Sequence, residues 1–190
     1  MKFKVLAVLL LITAGCLTSY GQDRRWTVNV GGGYSPLFGD LNNYLNNGWH
    51  ITAGGGYNFG PFFSTTIDYT YHRFGVSPLV LHDNRASGGS AHVWSFTANP
   101  KLRLSAVGRV RPFVVGGVGY YRRYVELTNA ISRPLSLAPS LSGPGGSLGL
   151  GFDISLGDSR FALFTDARYL YAATGGFPVR MVPLTAGLRW

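Results

Sequence analysis

The sequence predicts an all-β fold: an eight-stranded antiparallel up-and-down transmembrane β-barrel. Three observations carry that expectation. Apolar residues alternate with small or polar ones at period two through almost the whole chain after residue 25. Long and short connections between the alternating segments follow one another in strict order. The composition joins 27 glycines, 12 Phe, 11 Tyr and 4 Trp to a charged fraction of only 13%, about half the usual ~25%. With 46% hydrophobic residues the chain is not a disordered one, which needs low hydrophobicity and high charge. Its single cysteine excludes a disulfide scaffold, and its 190 residues suit one domain.

Residues 1–21 read as a signal peptide preceding a domain over 22–190. Lys2 and Lys4 make a basic start, and Val5 to Ala14 is apolar apart from Thr13. That run is too short for a spanning helix, which needs ~20 residues. Ser19 and Gly21 place small residues at −3 and −1 of a cut before Gln22. Thr13-Ala14-Gly15-Cys16 offers a second reading, a lipobox in which Cys16 is acylated and begins the mature chain. Either way the mature domain is expected to lack thiol catalysis, disulfides and Cys-zinc sites. Loss of Lys2 and Lys4 lowers the net charge from +9 to +7 and leaves Lys101 with 14 arginines. No later stretch reaches ~18 continuous apolar residues, so further membrane insertion must use strands.

In strand one, Trp26, Val28, Val30 and Tyr34 alternate with Thr27, Asn29, Gly31 and Gly33. Strand two sets Trp49, Ile51, Ala53, Tyr57 and Phe59 against His50, Thr52, Gly54, Gly56 and Asn58. Strand three sets Phe63, Thr65, Ile67, Tyr69 and Tyr71 against Ser64, Thr66, Asp68, Thr70 and His72. Strand four, Ala91 to Leu102, opposes Trp94, Phe96 and Ala98 to Val93, Ser95, Thr97 and Asn99. Strand five, Val110 to Arg123, puts Val110, Val114, Val118 and Tyr120 on one face and Phe113, Val115 and Tyr121 on the other. Strand six alternates Leu148, Leu150, Phe152, Ile154 and Leu156 with Gly149, Gly151, Asp153 and Ser155. Strand seven, Arg160 to Ala172, opposes Phe161, Leu163, Ala167, Tyr169 and Tyr171 to Asp166 and Arg168. Strand eight alternates Val182, Leu184, Ala186, Leu188 and Trp190 with Pro183, Thr185, Gly187 and Arg189. A helix would scatter such a pattern around its circumference. Pro100 and Pro112 require a strand end or an unpaired position, because proline cannot donate to a ladder.

The long connections are 35–48, 74–90, 124–146 and 174–180; the short ones are 60–61, 104–109 and 157–159. Strict alternation collects the long ones at one end, the layout of a membrane barrel. The polar face carries too little charge to meet water and is rich in glycine, so it is the inner face. An eight-stranded barrel has room there only for side chains. Trp26, Tyr34, Trp49, Phe59, Phe63, Tyr71, Trp94, Tyr169, Tyr171 and Trp190 gather near strand ends, as interfacial girdles require.

The terminal segment Leu184-Thr185-Ala186-Gly187-Leu188-Arg189-Trp190, the segment Arg111 to Tyr121 and the export signal make the mature chain resemble small bacterial outer-membrane barrels of the OmpA/OmpX kind. The resemblance implies the outer membrane of a Gram-negative bacterium. It implies that Leu188 and Trp190 belong to a signal read by the barrel-assembly machinery, with periplasmic chaperones as further partners. Outer-membrane lipid and lipopolysaccharide are the expected surroundings of a monomer with no cofactor and no peptidoglycan-binding domain. Export argues against nucleic acid as a partner.

Buried charges need partners. The inward set Asp68, Asp153, Asp166, Arg111, Arg168 and Arg189 is therefore expected to form an internal ion-pair network, centred on Asp166 and Arg168 with Asp68 or Asp153 opposite. Such a network reads more simply as a polar core than as an ion path. At the long-loop rim, Arg122, Arg123 and Arg133 are candidates for lipopolysaccharide phosphates through bidentate contacts, partly offset by Glu126. His50 and His72 can point inward near that end and His82 lies in the second long connection; no HExxH spacing exists, so they read as rim residues. The glycine runs at 116–119 and 149–151 open no helix and are not phosphate loops. Some eight-stranded barrels modify lipid A with a His-Ser-acid group. Here His92, Ser95 and Asp83 are the candidates, and His92 and Ser95 fall on opposite faces of their strand. The third long connection, with Leu135, Leu137 and Leu141, is either an adhesive surface or a cover for the mouth. The expected role is structural, adhesive or a small-solute or surface-interaction one, without catalysis. A lipid A-modifying enzyme, a narrow pore and a soluble lipocalin-like carrier are the competing readings.

Overall fold

The computed structural model describes residues 25–83, 87–128, 140–157, 159–175 and 178–190. Residues 1–21, with the signal peptide and Cys16, lie outside the described residues, as do Arg133 and the side chain of Asp83. The strands are β1 (Trp26–Ser35), β2 (Leu37–Phe38), β3 (Leu45–Asn58), β4 (Phe63–Val76), β5 (Gly88–Arg103), β6 (Val110–Thr128), β7 (Ser140–Ser155), β8 (Ala162–Ala172), β9 (Val179–Met181) and β10 (Leu184–Arg189).

These ten segments are eight staves. Tyr34 faces Leu184 and, three residues further along each strand, Leu37 faces Met181. Ala167 faces Leu184 and Leu170 faces Met181 at the same offset. The register therefore passes unbroken from β1 to β2 and from β9 to β10. The gaps fall at Pro36 and Pro183, which have no N–H to give. Their carbonyls still accept, from the Val182 N–H and the Arg168 N–H respectively. Every neighbouring pair is antiparallel, and the sheet closes because β10 pairs with both β1 and β8. Pro100 lies opposite Thr65 inside β5 and Pro112 opposite Phe152 inside β6, so neither marks a strand end.

The long connections are shorter than the sequence suggests. Residues 124–128 and 140–146 continue the ladder, Tyr124 facing Ser140 and Tyr120 facing Pro144. This Ser- and Gly-rich stretch has weak strand propensity of its own; pairing with the Tyr- and Val-rich end of β6 orders it. The first connection forms a 3-10 turn, Gly39–Asn43, and the second a short helix, α1 (Pro78–Asp83), which opens on proline where the missing N–H costs nothing.

Inside, bulky residues face glycines across the ladders. The directly opposed pairs are Phe113 with Gly151, Phe164 with Gly187, Arg168 with Gly149, Asp68 with Gly54 and Phe74 with Gly48. A methyl group on Gly187 would stand 2.6 Å from the Phe164 ring, and one on Gly151 2.5 Å from the Phe113 ring. The glycine content is thus the space into which the large interior side chains fold.

Outside, two aromatic chains mark the two ends. Trp26, Tyr57, Phe59 and Phe63 touch in sequence with ring centroids 5.1–5.4 Å apart. At the other end Trp49, Tyr71, Trp94 and Tyr69 do so at 4.8–5.9 Å. Between them the outward positions are mostly aliphatic, among them Val30, Ile67, Val118, Leu148 and Leu150. Among the described residues no helix is long and apolar enough to cross a membrane.

Candidate functional site

The barrel interior has three layers. At the short-turn end, Asp153 on β7 accepts from Lys101 Nζ at 2.7 Å, from Arg103 Nε at 3.5 Å and from Arg189. Lys101 Nζ also lies 4.6 Å over the Phe113 ring, and the Arg189 guanidinium 4.7 Å over Phe164, placing cations against ring faces. Arg111 donates to Ser155 Oγ at 3.0 Å. Below this layer a cavity of about 690 Å³ opens outward.

In the middle, Arg168 grips Asp166 through two parallel bonds, Nε to Oδ1 and Nη2 to Oδ2, each 3.0 Å. The single expected network is therefore corrected to separate centres. Asp153 belongs with Arg189 and with Lys101 and Arg103, while Asp166 and Arg168 satisfy one another. Asp68 is bonded by neutral donors: Asn29 Nδ2 at 3.1 Å, Thr66 Oγ1 at 3.1 Å and Asn99 Nδ2 at 2.8 Å. A buried carboxylate needs donors, and amides and hydroxyls can serve as well as cations. Lys101 and Arg103 were legible: they continue the inward parity of Thr97 and Asn99 on β5.

Ser35 joins this layer from the seam. Its Oγ lies 2.9 Å from His50 Nδ1 and 3.0 Å from His72 Nδ1, and His50 Nε2 lies 3.1 Å from Thr185 Oγ1. One hydroxyl proton can serve only one imidazole, so the other donates through its own Nδ1. Both rings are buried (2% and 1% exposed), inside the barrel instead of at its rim. The free space beside them is a gap of about 40 Å³, room for a few waters. At the long-loop end the fill turns mostly apolar, with Arg123 buried in it. Leu41 from the 3-10 turn and Val80 from α1 pack onto Leu45, Phe74, Val125 and Met181, so the first two connections stopper the mouth.

With a closed eight-stave wall, a filled interior and two outer aromatic bands in place, the relatives agree. The sequence profile of the outer membrane protein beta-barrel domain matches residues 5–189. The chain belongs to that family. Among solved structures it is similar to neisserial surface protein A, with a TM-score of 0.64 at 18% identity over 86% of this chain and 95% of that one. It is also similar to Ail, the attachment invasion locus protein of Yersinia pestis, with a TM-score of 0.55 at 18% identity over 87% of this chain and 98% of that one. At such identity the likeness shows the shared fold. No curated protein matches the sequence.

In an outer-membrane barrel short turns face the periplasm and long connections the exterior. The Asp153 layer and its cavity are then periplasmic, and the apolar stopper is external. On the outer wall, Arg122 is exposed and donates to Ser140 Oγ at 3.0 Å, while Arg123 is 0% exposed and points inward. Arg123 is therefore removed from the expected rim patch, for the plain reason that consecutive strand residues take opposite faces. Arg73, exposed and opposite His92, takes its place on the outer wall, on the parity of Tyr69 and Tyr71. His92 is turned outward, bonded to the Tyr71 hydroxyl at 2.5 Å and to Ser90 Oγ at 3.0 Å, whereas Ser95 is buried inside. Leu188 faces outward opposite Val30, and Trp190 exchanges two backbone bonds of 2.8 Å with Val28. Among the described residues no three metal-ligating side chains converge.

Proposed function

We propose that this outer-membrane barrel is a non-conducting wall and surface-interaction protein with no catalytic role. The observation that carries the reading is the fill of the middle layer and of the external mouth. The external mouth is closed by Leu41 and Val80, and the middle layer leaves only about 40 Å³. A solute path needs connected space, so the filled lumen counts against the narrow-pore and small-solute readings. His92 and Ser95 on opposite faces count against a lipid A-modifying site. In planar bilayers the purified barrel is expected to give no discrete conductance steps; large, reproducible steps would overturn the proposal.

The surface partner proposed is lipopolysaccharide. Arg73 and Arg122 are exposed beside Tyr71 and Trp94, whose rings touch at 4.8 Å. Guanidinium groups at an aromatic band suit lipid A phosphates, which accept paired N–H donors. Replacing both with Gln is expected to weaken lipid A binding several-fold in a vesicle-binding assay. Arg123→Gln should change stability and leave that binding unaltered, and the reverse pattern would sink the assignment. The proposed route to the membrane is export through residues 1–21 in a Gram-negative cell, escort by periplasmic chaperones and insertion by the barrel-assembly machinery, which would read Leu188 and Trp190 in the last strand.

A further inference from the structure

We propose that the periplasmic vestibule binds a multiply charged oxyanion, an organic phosphate or a polycarboxylate. The cavity of about 690 Å³ is walled by Arg25, Arg103, Arg111, Arg160 and Arg189, with Asp153 the acidic side chain among them. Both Asp153 oxygens are already occupied, one by Lys101 and Arg103, the other by Arg189. Arg111 has a neutral partner, Ser155. Among the described residues, three cations thus share the Asp153 carboxylate at the vestibule roof and Arg111 stands beside them on a neutral partner.

Two donors are left over at that roof. Arg189 is nine-tenths buried, and its Nε, like that of Arg111, has no hydrogen-bond partner among the described residues. A buried guanidinium N–H without an acceptor is costly, and an oxyanion answers both the charge excess and the open donors. Planar guanidinium forks match phosphate and carboxylate oxygens in pairs.

The volume falls in the range of small-molecule sites, ~300–1,000 Å³, so the anion has room for a carbon or second phosphate skeleton. The vestibule is also blind. Phe113 and Phe164, against which Lys101 and Arg189 lie, roof it below the nearly filled middle layer. The geometry is that of a receptor cup facing the periplasm and does not depend on the lipopolysaccharide contact outside.

Trp26 and Trp190 line the cavity and supply the readout. The full barrel in detergent micelles is titrated with pyrophosphate, with citrate and with sodium chloride at matched ionic strength, following tryptophan fluorescence and heat. Saturable binding of pyrophosphate or citrate is expected, and whichever saturates at lower concentration identifies the phosphate or the carboxylate class. Arg111→Gln should weaken that binding about tenfold, the loss of one charged hydrogen-bond pair, while the unheated protein keeps its compact gel migration. Arg189→Lys keeps the charge but removes the unpartnered Nε, and should weaken binding even if Arg111→Gln does not fold. An equal response to chloride, no saturation by either oxyanion, or undiminished binding by the folded variants would overturn the site.

Discussion

Asp153→Asn is expected to lower folding stability by about 3–5 kcal/mol, the cost of leaving buried charge without its counter-ion. Asparagine keeps the shape of the side chain and removes only its charge. Asp153 is 1% exposed and is approached by Lys101, Arg103 and Arg189. Without the carboxylate these three cations face one another beside two phenyl rings. Arg103 and Arg189 retain some contact with the vestibule, their side chains being 11% and 10% exposed, so water softens the effect toward the lower figure. The measurement is the urea midpoint at which the compact, unheated gel band is lost. Lys101→Met should be milder alone, and combined with Asp153→Asn it should recover part of the loss, the coupling expected of residues in one cluster. An Asp153→Asn barrel with the parental midpoint would mean that this ion cluster does not organise the periplasmic end.

Gly187→Ala is expected to cost about 1–3 kcal/mol through crowding alone. The added methyl would meet the Val30 carbonyl oxygen, the Gly31 backbone at 2.6 Å and the Phe164 ring at 2.6 Å. Trimming the ring with Phe164→Leu should restore some stability but not all, since the Val30 carbonyl remains in the way. Gly55→Ala is the matched control: Gly55 faces outward, and a methyl there meets nothing closer than the Thr27 carbonyl at 3.7 Å. Its urea midpoint should stay within about 0.5 kcal/mol of the parent. Equal losses at both positions would show that strand glycine as such matters, and not the space it leaves for Phe164.

What the chain sequence determined by itself is local. Period two places each residue on the inner or outer wall without reference to any other strand, which is why the Trp26 and Trp94 bands, the inward Asp153, Asp166 and Arg168, and the separation of His92 from Ser95 were all readable. Strict parity also parts Arg122 from Arg123 and turns Lys101 inward. What tertiary structure decided is register and closure. Lys101 and Arg189 reach Asp153 across 52 and 36 residues of chain, and Ser35 meets His72 across 37. No spacing along the sequence encodes those meetings, because they depend on how eight staves slide past one another before the first and last pair. The same register sets each bulky interior residue opposite a glycine and carries the seam through Pro36 and Pro183. It also extends the wall into segments whose own propensity would leave them as loops. Residue type selects the face; only pairing between distant strands selects the neighbour.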